Sequence, residues 1–238
     1  MISKRLTAIK NMISNSELVL DVGTDHALLP ISLIKEDRVK KVIASDISKA
    51  TVDEARAQVN KHDLINYIDL RIGDGLEVLA SNETPDIIIL AGIGGITIKN
   101  ILMDNEDKWL FKSNLILQPQ TDHADIRKYL ISKGYFFKRE ELVKDKGFFY
   151  QVINAVPDVN KIDANSLSEL EMEMGPKILA NPNEVLIEYL NRELVKTKSV
   201  IDELQQAKTE RARAKLQEMR TRADAISEVL NNHDNTTS

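Results

Sequence analysis

The chain has 238 residues, 42% of them hydrophobic and none of them cysteine. That length can bury a full core and suggests one ordinary domain plus a smaller appendage, while the missing thiols exclude disulfides and thiolate metal sites. A net charge of −5 argues against a generally basic nucleic-acid binder, and no stretch approaches the roughly 20 apolar residues of a membrane span or shows a signal-peptide core, so a cytoplasmic protein is expected.

In chain order, residues 2–13 are predicted as a helix, and strands near 18–23, 41–46, 68–73, 86–91 and 114–118 then alternate with helical patterns at 27–36, 49–62, 95–104 and 122–133. That alternation is the sequence form of a parallel sheet covered by helices on both faces. Pro119 closes the fifth strand. The segments "YFFKREELVKD" and "FFYQVINAVP", separated by Lys146-Gly147, read as a hairpin added to the sheet, which makes it mixed.

Composition shifts after Pro157, which sets domain limits of 1–158 and 159–238. No Gly or Pro occurs from 183 to the end, and Ile187, Leu190, Leu194, Thr197, Ile201 and Leu204 recur at spacings of 3 and 4. Ala212, Leu216, Met219, Ala223, Ile226 and Leu230 do the same out of phase, so a coiled-coil hairpin turning near 205–209 is expected, with one unbroken helix as the alternative. Residues 192–222 hold nine Lys/Arg against five Asp/Glu, a net of +4 within an acidic chain.

The ligand question centres on "LVLDVGTDHALLP", residues 18–30. In a doubly wound sheet the first strand–helix turn holds the ligand, and a dinucleotide needs G-x-G-x-x-G there. The equivalent residues are Gly23, Asp25 and Leu28. With Asp21 and Asp25 flanking the single glycine, a pyrophosphate would be repelled and a cation attracted. S-adenosylmethionine meets that requirement with a sulfonium and an ammonium. Its ribose calls for an acid at the end of the second strand, supplied by Asp46 with Ile47 beside it, and Asp74 with Gly75 ends the third strand within reach of an adenine amine. A solvated strand-end acid is the ordinary reading of any one of these, but three on successive strands favour the cofactor.

"LVLDVGTDHALLPI", "VIASDIS", "RIGDGLEVL" and "ILAGIGGITI" together resemble the bacterial TrmK family, class I methyltransferases that make 1-methyladenosine at position 22 of tRNA. The similarity spans nearly the whole chain. It implies a Rossmann-like seven-stranded mixed sheet, a C-terminal α-helical coiled-coil domain, S-adenosylmethionine as cofactor and tRNA as partner. Transfer to adenine N1 needs alignment and charge placement, not a nucleophile from the protein.

Asp25 and His26 are the candidate catalytic residues: Asp25 could face the exocyclic amine of the base or only help hold the cofactor's ammonium, and His26 could orient Asp25, meet the base, assist proton loss from the amine after attack, or only cap the next helix. In "AGIGG" Gly92 is assigned to the cofactor, and Gly94 and Gly95 to close approach of a flat base, with tight packing as the alternative. Gln118 and Gln120 are candidate amide readers of a base edge, unless "QPQTDH" is an ordinary junction with Thr121 or Asp122 as N-cap. Tyr150 is either a stacking surface or core.

Lys208, Arg211, Lys215 and Arg222 form a candidate phosphate-binding stripe, with Arg5 and Lys4 as a second contact, against the alternative of a solvated helix face. The four dispersed histidines point to no metal site, and neither a phosphate-binding P-loop nor a Ser-His-Asp signature is present. A monomer is expected. The rival readings are a methyltransferase of another substrate and a non-catalytic binding module that keeps the fold.

Overall fold

The computed structural model describes residues 2–157, 167–205 and 209–237, except the side chains of 234–237. The chain divides into two compact units, Met1–Leu167 and Ser168–Ser238; the boundary expected at 158/159 lies outside the described residues.

The first unit runs α1 (Lys4–Met12), β1 (Ser16–Val22), α2 (Leu28–Lys35), β2 (Val39–Asp46), α3 (Lys49–Lys61), β3 (Ile68–Ile72), β4 (Ile87–Ile93), α4 (Gly95–Asp104), α5 (Glu106–Trp109), β5 (Asn114–Pro119), α6 (His123–Ser132), β6 (Tyr135–Asp145) and β7 (Phe148–Pro157). The seven strands form one sheet in the order β3-β2-β1-β4-β5-β7-β6. The first five are parallel, and β7 runs antiparallel between β5 and β6.

The central strands are apolar because helices cover both of their faces: Val19, Leu20, Ile88, Ile89 and Leu117 have no exposure. The Lys146-Gly147 turn joins the paired residues Asp145 and Phe148, and both turn residues have positive φ, at 49° and 85°. That is the requirement of a two-residue type I′ hairpin. Serine side chains start two of the helices, Ser3 accepting from Leu6 N–H and Ser48 from Thr51 N–H.

The short helix α5 carries no periodic signal in the sequence. It forms around Trp109, which is fully buried and donates its indole N–H to Leu102 O at 2.8 Å.

The second unit comprises α7 (Glu169–Met174), α8 (Pro176–Leu179), α9 (Glu184–Leu204) and α10 (Glu210–Thr237). Gly175, at φ 97°, ends α7, and Pro176 opens α8. These two short helices occupy a stretch whose Gly and Pro predicted only interruption.

Helices α9 and α10 are separate and packed together, which excludes one unbroken helix. Arg222 of α10 meets Glu193 of α9 at 3.2 Å, so residues roughly equidistant from the connection face each other and the pair runs antiparallel. Residues 206–208 of that connection lie outside the described residues. Along both seams the apolar positions are buried or half-buried, with Leu190, Thr197, Ala223 and Ile226 fully so.

Candidate functional site

Strand order reverses at β1, whose neighbours β2 and β4 lead in opposite directions across the sheet, and the crevice outside the carboxyl ends of such strands is where ligands bind. The register aligns these ends: Val22 lies opposite Ser45, and Asp46 opposite Ile72. The N–H groups of Gly23 and Thr24 donate to Ser45 O at 2.8 and 2.9 Å, and Gly73 N–H donates to Asp46 O at 3.1 Å. The acidic strand ends are thereby tied side by side. A Cβ on Gly23, where φ is +76°, would meet nothing within 4 Å, so the turn opens onto free space.

Asp21, next to last in β1, is only 6% exposed. Burial pushes its carboxyl up from 3.8 to about 7, against the opposing pull of the Thr24 hydroxyl and the Arg5 charge. Asp21, Gly23, Thr24, Asp25 and Arg5 line one pocket with Leu6, Leu28, Leu29 and Ala91. Asp46 accepts from Ser48 N–H through Oδ1 at 2.8 Å, which leaves its second oxygen without a partner among the described residues. Exposed Ile47 follows it, and Asp74 is exposed beyond the end of β3. Gly75, with φ +50°, is buried against Ile101, where a Cβ would come within 2.9 Å. A buried acid, an open glycine turn and two further acids at neighbouring strand ends suit a ligand with a cationic end and a hydroxyl-rich middle.

Past the glycine the chain is strained, for His26 and Ala27 both have φ 53°. Ala27 is the N-cap of α2 and no side chain caps it, so His26 is not a helix cap. The His26 ring instead lies between two carboxylates, with Nε2 3.1 Å from Asp25 Oδ1 and Nδ1 3.4 Å from Glu54 Oε2. Glu54 belongs to α3 and no sequence signal singled it out.

Across the crevice, Arg5 ties several candidates together. It donates from Nη1 to Gln118 Oε1 at 2.8 Å, lies 5.7 Å from the centre of the Tyr150 ring, and packs so closely on Gly92 (φ +79°) that a Cβ there would come within 2.8 Å of Nη1. Gln118 is fully buried, and its amide nitrogen donates to Pro119 O at 3.1 Å. The expectation that Gln118 reads a base edge is therefore corrected: its amide supports Arg5.

Exposed Gln120 donates to Gly92 O at 2.8 Å through Nε2, which leaves Oε1 facing outward without a partner among the described residues. Gly95 admits no side chain, because a Cβ would lie 2.3 Å from Thr121 O; Gly94 has ordinary room. Asp122 occupies the N-cap of α6 at φ 57° without a side-chain capping bond and accepts from the Thr121 hydroxyl at 2.6 Å instead. Behind this loop, burial and the Arg127 charge push His123 down to about 4.

In the second unit Arg211 is exposed without an ion partner among the described residues, and Lys215 pairs with Glu218 at 2.7 Å. Arg222 turns inward, where it pairs with Glu173 and with Glu193 and its side chain is 22% exposed. It is not free to meet a phosphate, contrary to its place in the expected stripe. Lys208 lies outside the described residues. Arg213 and Arg220, which the stripe omitted, are exposed and unpaired among the described residues. No helix of the described residues is long and apolar enough to cross a membrane, and none of their His, Asp and Glu side chains group into a candidate metal site.

Comparison with known proteins matches residues 19–228 to the profile of TrmK, tRNA (adenine(22)-N(1))-methyltransferase. The tRNA (adenine(22)-N(1))-methyltransferase of Bacillus subtilis is 33% identical over 231 residues, 96% of this chain and 97% of that protein. A putative tRNA (m1A22) methyltransferase of Streptococcus pneumoniae, solved with S-adenosyl-L-methionine, superposes with a TM-score of 0.84 at 28% identity, covering 97% of this chain and 100% of that one. M. capricolum TrmK, solved with the cofactor product S-adenosyl-homocysteine, gives 0.80 at 29% identity over 97% and 98%.

Proposed function

We propose the following roles for the residues of a chain that belongs to the TrmK family of tRNA (adenine(22)-N(1))-methyltransferases. The protein is an S-adenosylmethionine-dependent methyltransferase acting on N1 of adenine 22 in tRNA. The observation that carries the assignment of its site is the row of acids Asp21, Asp46 and Asp74 on adjacent strand ends around the left-handed Gly23 turn.

Bound S-adenosylmethionine would supply an electrophilic methyl group to the N1 lone pair of the adenine, leaving S-adenosylhomocysteine and a positively charged base. Asp21 and the Gly23 turn hold the cationic amino-acid end, Asp46 with Ile47 holds the ribose, and Asp74 with Gly75 borders the adenine. Gly92 brings the backbone to the cofactor, with Arg5 behind it. Gly94 leaves room for a flat base, whereas Gly95 serves close packing against Thr121, and Gln120 offers the outward Oε1 that Gln118 lacks.

Asp25, whose side chain is 81% exposed at the pocket rim, faces the base and stabilises the charge that develops on it. His26 orients Asp25. No general base has to act before bond formation, because the N1 lone pair lies in the ring plane. The helical unit grips tRNA through Arg211 and Lys215, joined by Arg213 and Arg220. A tRNA substrate fits work in the cytoplasm, and the protein acts as a monomer.

The test compares two unmodified tRNA transcripts that differ only in adenine or guanine at position 22, with nucleoside mass spectrometry of the products. 1-Methyladenosine from the first and nothing from the second is expected. Methylation of neither, with cofactor binding and folded tRNA verified, would overturn the assignment.

A further inference from the structure

The geometry points to Glu54 as a positioning residue of the transfer site, acting on Asp25 through His26. The inference depends on Asp25 and His26 serving methyl transfer. Both ring nitrogens of His26 face carboxylates, and the two come from different elements: Asp25 from the turn that carries His26, and Glu54 from α3.

The two carboxylates are not equivalent. The Asp25 side chain, 81% exposed, has no partner among the described residues other than His26. Glu54 is also exposed at its tip, but its backbone belongs to a helix that Ser48 caps and that buries Val52, Ala55 and Val59 in the core. The fixed end of the chain of contacts is therefore Glu54.

Backbone strain says the same. His26 and Ala27 are both held at φ 53°, a backbone conformation that residues with a side chain rarely adopt. No capping bond at α2 compensates for it. What the strained turn achieves is to carry the imidazole out of the Gly23 loop to the position where α3 supplies an acid.

An imidazole's free nitrogen takes its role from the hydrogen bond that the other one makes. Only a ring with a proton on each nitrogen can donate to both carboxylates; in that state Glu54 at Nδ1 favours one ring plane and Nε2–H is directed at Asp25. Without Glu54 the ring, half exposed, would rotate, and the aim of Asp25 at a base would loosen with it. Misplacing a charge-stabilising group in this way reduces the chemical step and leaves binding nearly intact.

The experiment uses the full-length protein, S-adenosylmethionine and adenine-22 tRNA. Glu54→Gln should lower kcat about tenfold, with KM for tRNA, cofactor Kd and Tm unchanged. In a His26→Ala background the same substitution should have no further effect. Asp53→Asn removes an equal charge from the same helix, where Asp53 pairs with Lys49 at 2.5 Å, and should leave kcat unchanged.

An unchanged kcat in Glu54→Gln would overturn the inference, as would equal losses with and without His26, or an equal loss in Asp53→Asn. Nitrogen-15 shifts of the His26 ring provide a readout that needs no turnover: Glu54→Gln should move the Nδ1 resonance, and an unmoved resonance refutes the contact. A wild-type protein that binds cofactor but leaves adenine 22 unmethylated would overturn the functional assignment instead, and the ring resonances would still decide whether Glu54 holds His26.

Discussion

Replacing Asp21 with asparagine should make the cofactor-free protein more stable, and by an amount that depends on pH in a defined window. Asp21 is buried, and its carboxyl is raised from 3.8 to about 7, chiefly by loss of solvation. A group whose folded value lies above its unfolded one contributes its full stability below about 4 and loses it as pH rises toward 7. Over that interval the wild type gives up on the order of 4 kcal/mol from this one site, an upper figure because local relaxation and water entry reduce it. The asparagine amide has no charge to desolvate and should not titrate.

The measurement is urea unfolding of both proteins without cofactor at pH 5, 6, 7 and 8. Other groups in the same window, His123 among them, are common to both and cancel in the difference. The stability gap between Asp21→Asn and wild type should widen up to about pH 7 and then stay level. A gap that does not change with pH would refute the buried-acid reasoning. Cofactor binding should reverse the preference, because an ammonium beside Asp21 favours the ionised form. Binding at pH 6 should release close to one proton, read by calorimetry in two buffers of different ionisation enthalpy, and the Asp21→Asn protein should release none.

Asp46→Ala should weaken cofactor binding about tenfold or more, since a charge-assisted hydrogen bond is worth about 1.5–3 kcal/mol; equilibrium dialysis would read it, and an unchanged Kd would remove Asp46 from the ribose site. Asp25→Ala should lower transfer by at least about tenfold while cofactor Kd holds, and equal losses in both would assign Asp25 to the cofactor. Gly92→Ala should destabilise by about 1 kcal/mol or more, because φ is +79° and the new Cβ would meet Arg5 Nη1; thermal unfolding checks it, and a neutral result would show that Arg5 gives way easily. Arg211→Gln with Lys215→Gln should flatten the salt dependence of tRNA binding by about two phosphate contacts, whereas Arg222→Gln should lower Tm and leave the salt slope unchanged; the reverse pattern would restore Arg222 to the RNA-facing surface.

The acids of the crevice were legible because each is local to a signal of its own: an apolar strand, then Asp21 and Gly23, then Asp46 and Asp74 at the same place on the next two strands. A parallel register turns such repeats into neighbours, so position along the chain translates into position in space. The residues that escaped sequence reading depend on contacts between distant segments. Gln118 ends a strand beside the crevice, yet its amide is claimed by Arg5, 113 positions away. Arg222 shares the helical spacing of Arg211 and Lys215, but Glu173 and Glu193 stand over it, and no spacing within α10 reports that. Periodicity tells which side chains share a face and is silent about the charge the face meets. For Glu54 even the face carried no signal, since one acid among the several of a surface helix is the commonest pattern there is. Its contact with His26 comes from the left-handed turn at His26 and Ala27, where no glycine stands at either position to warn of a positive φ. Non-glycine residues hold the same conformation in other connections, at Asp37, Asp63 and Phe111, so the left-handed turn alone singles out nothing; the two carboxylates beside the His26 ring are what set Glu54 apart.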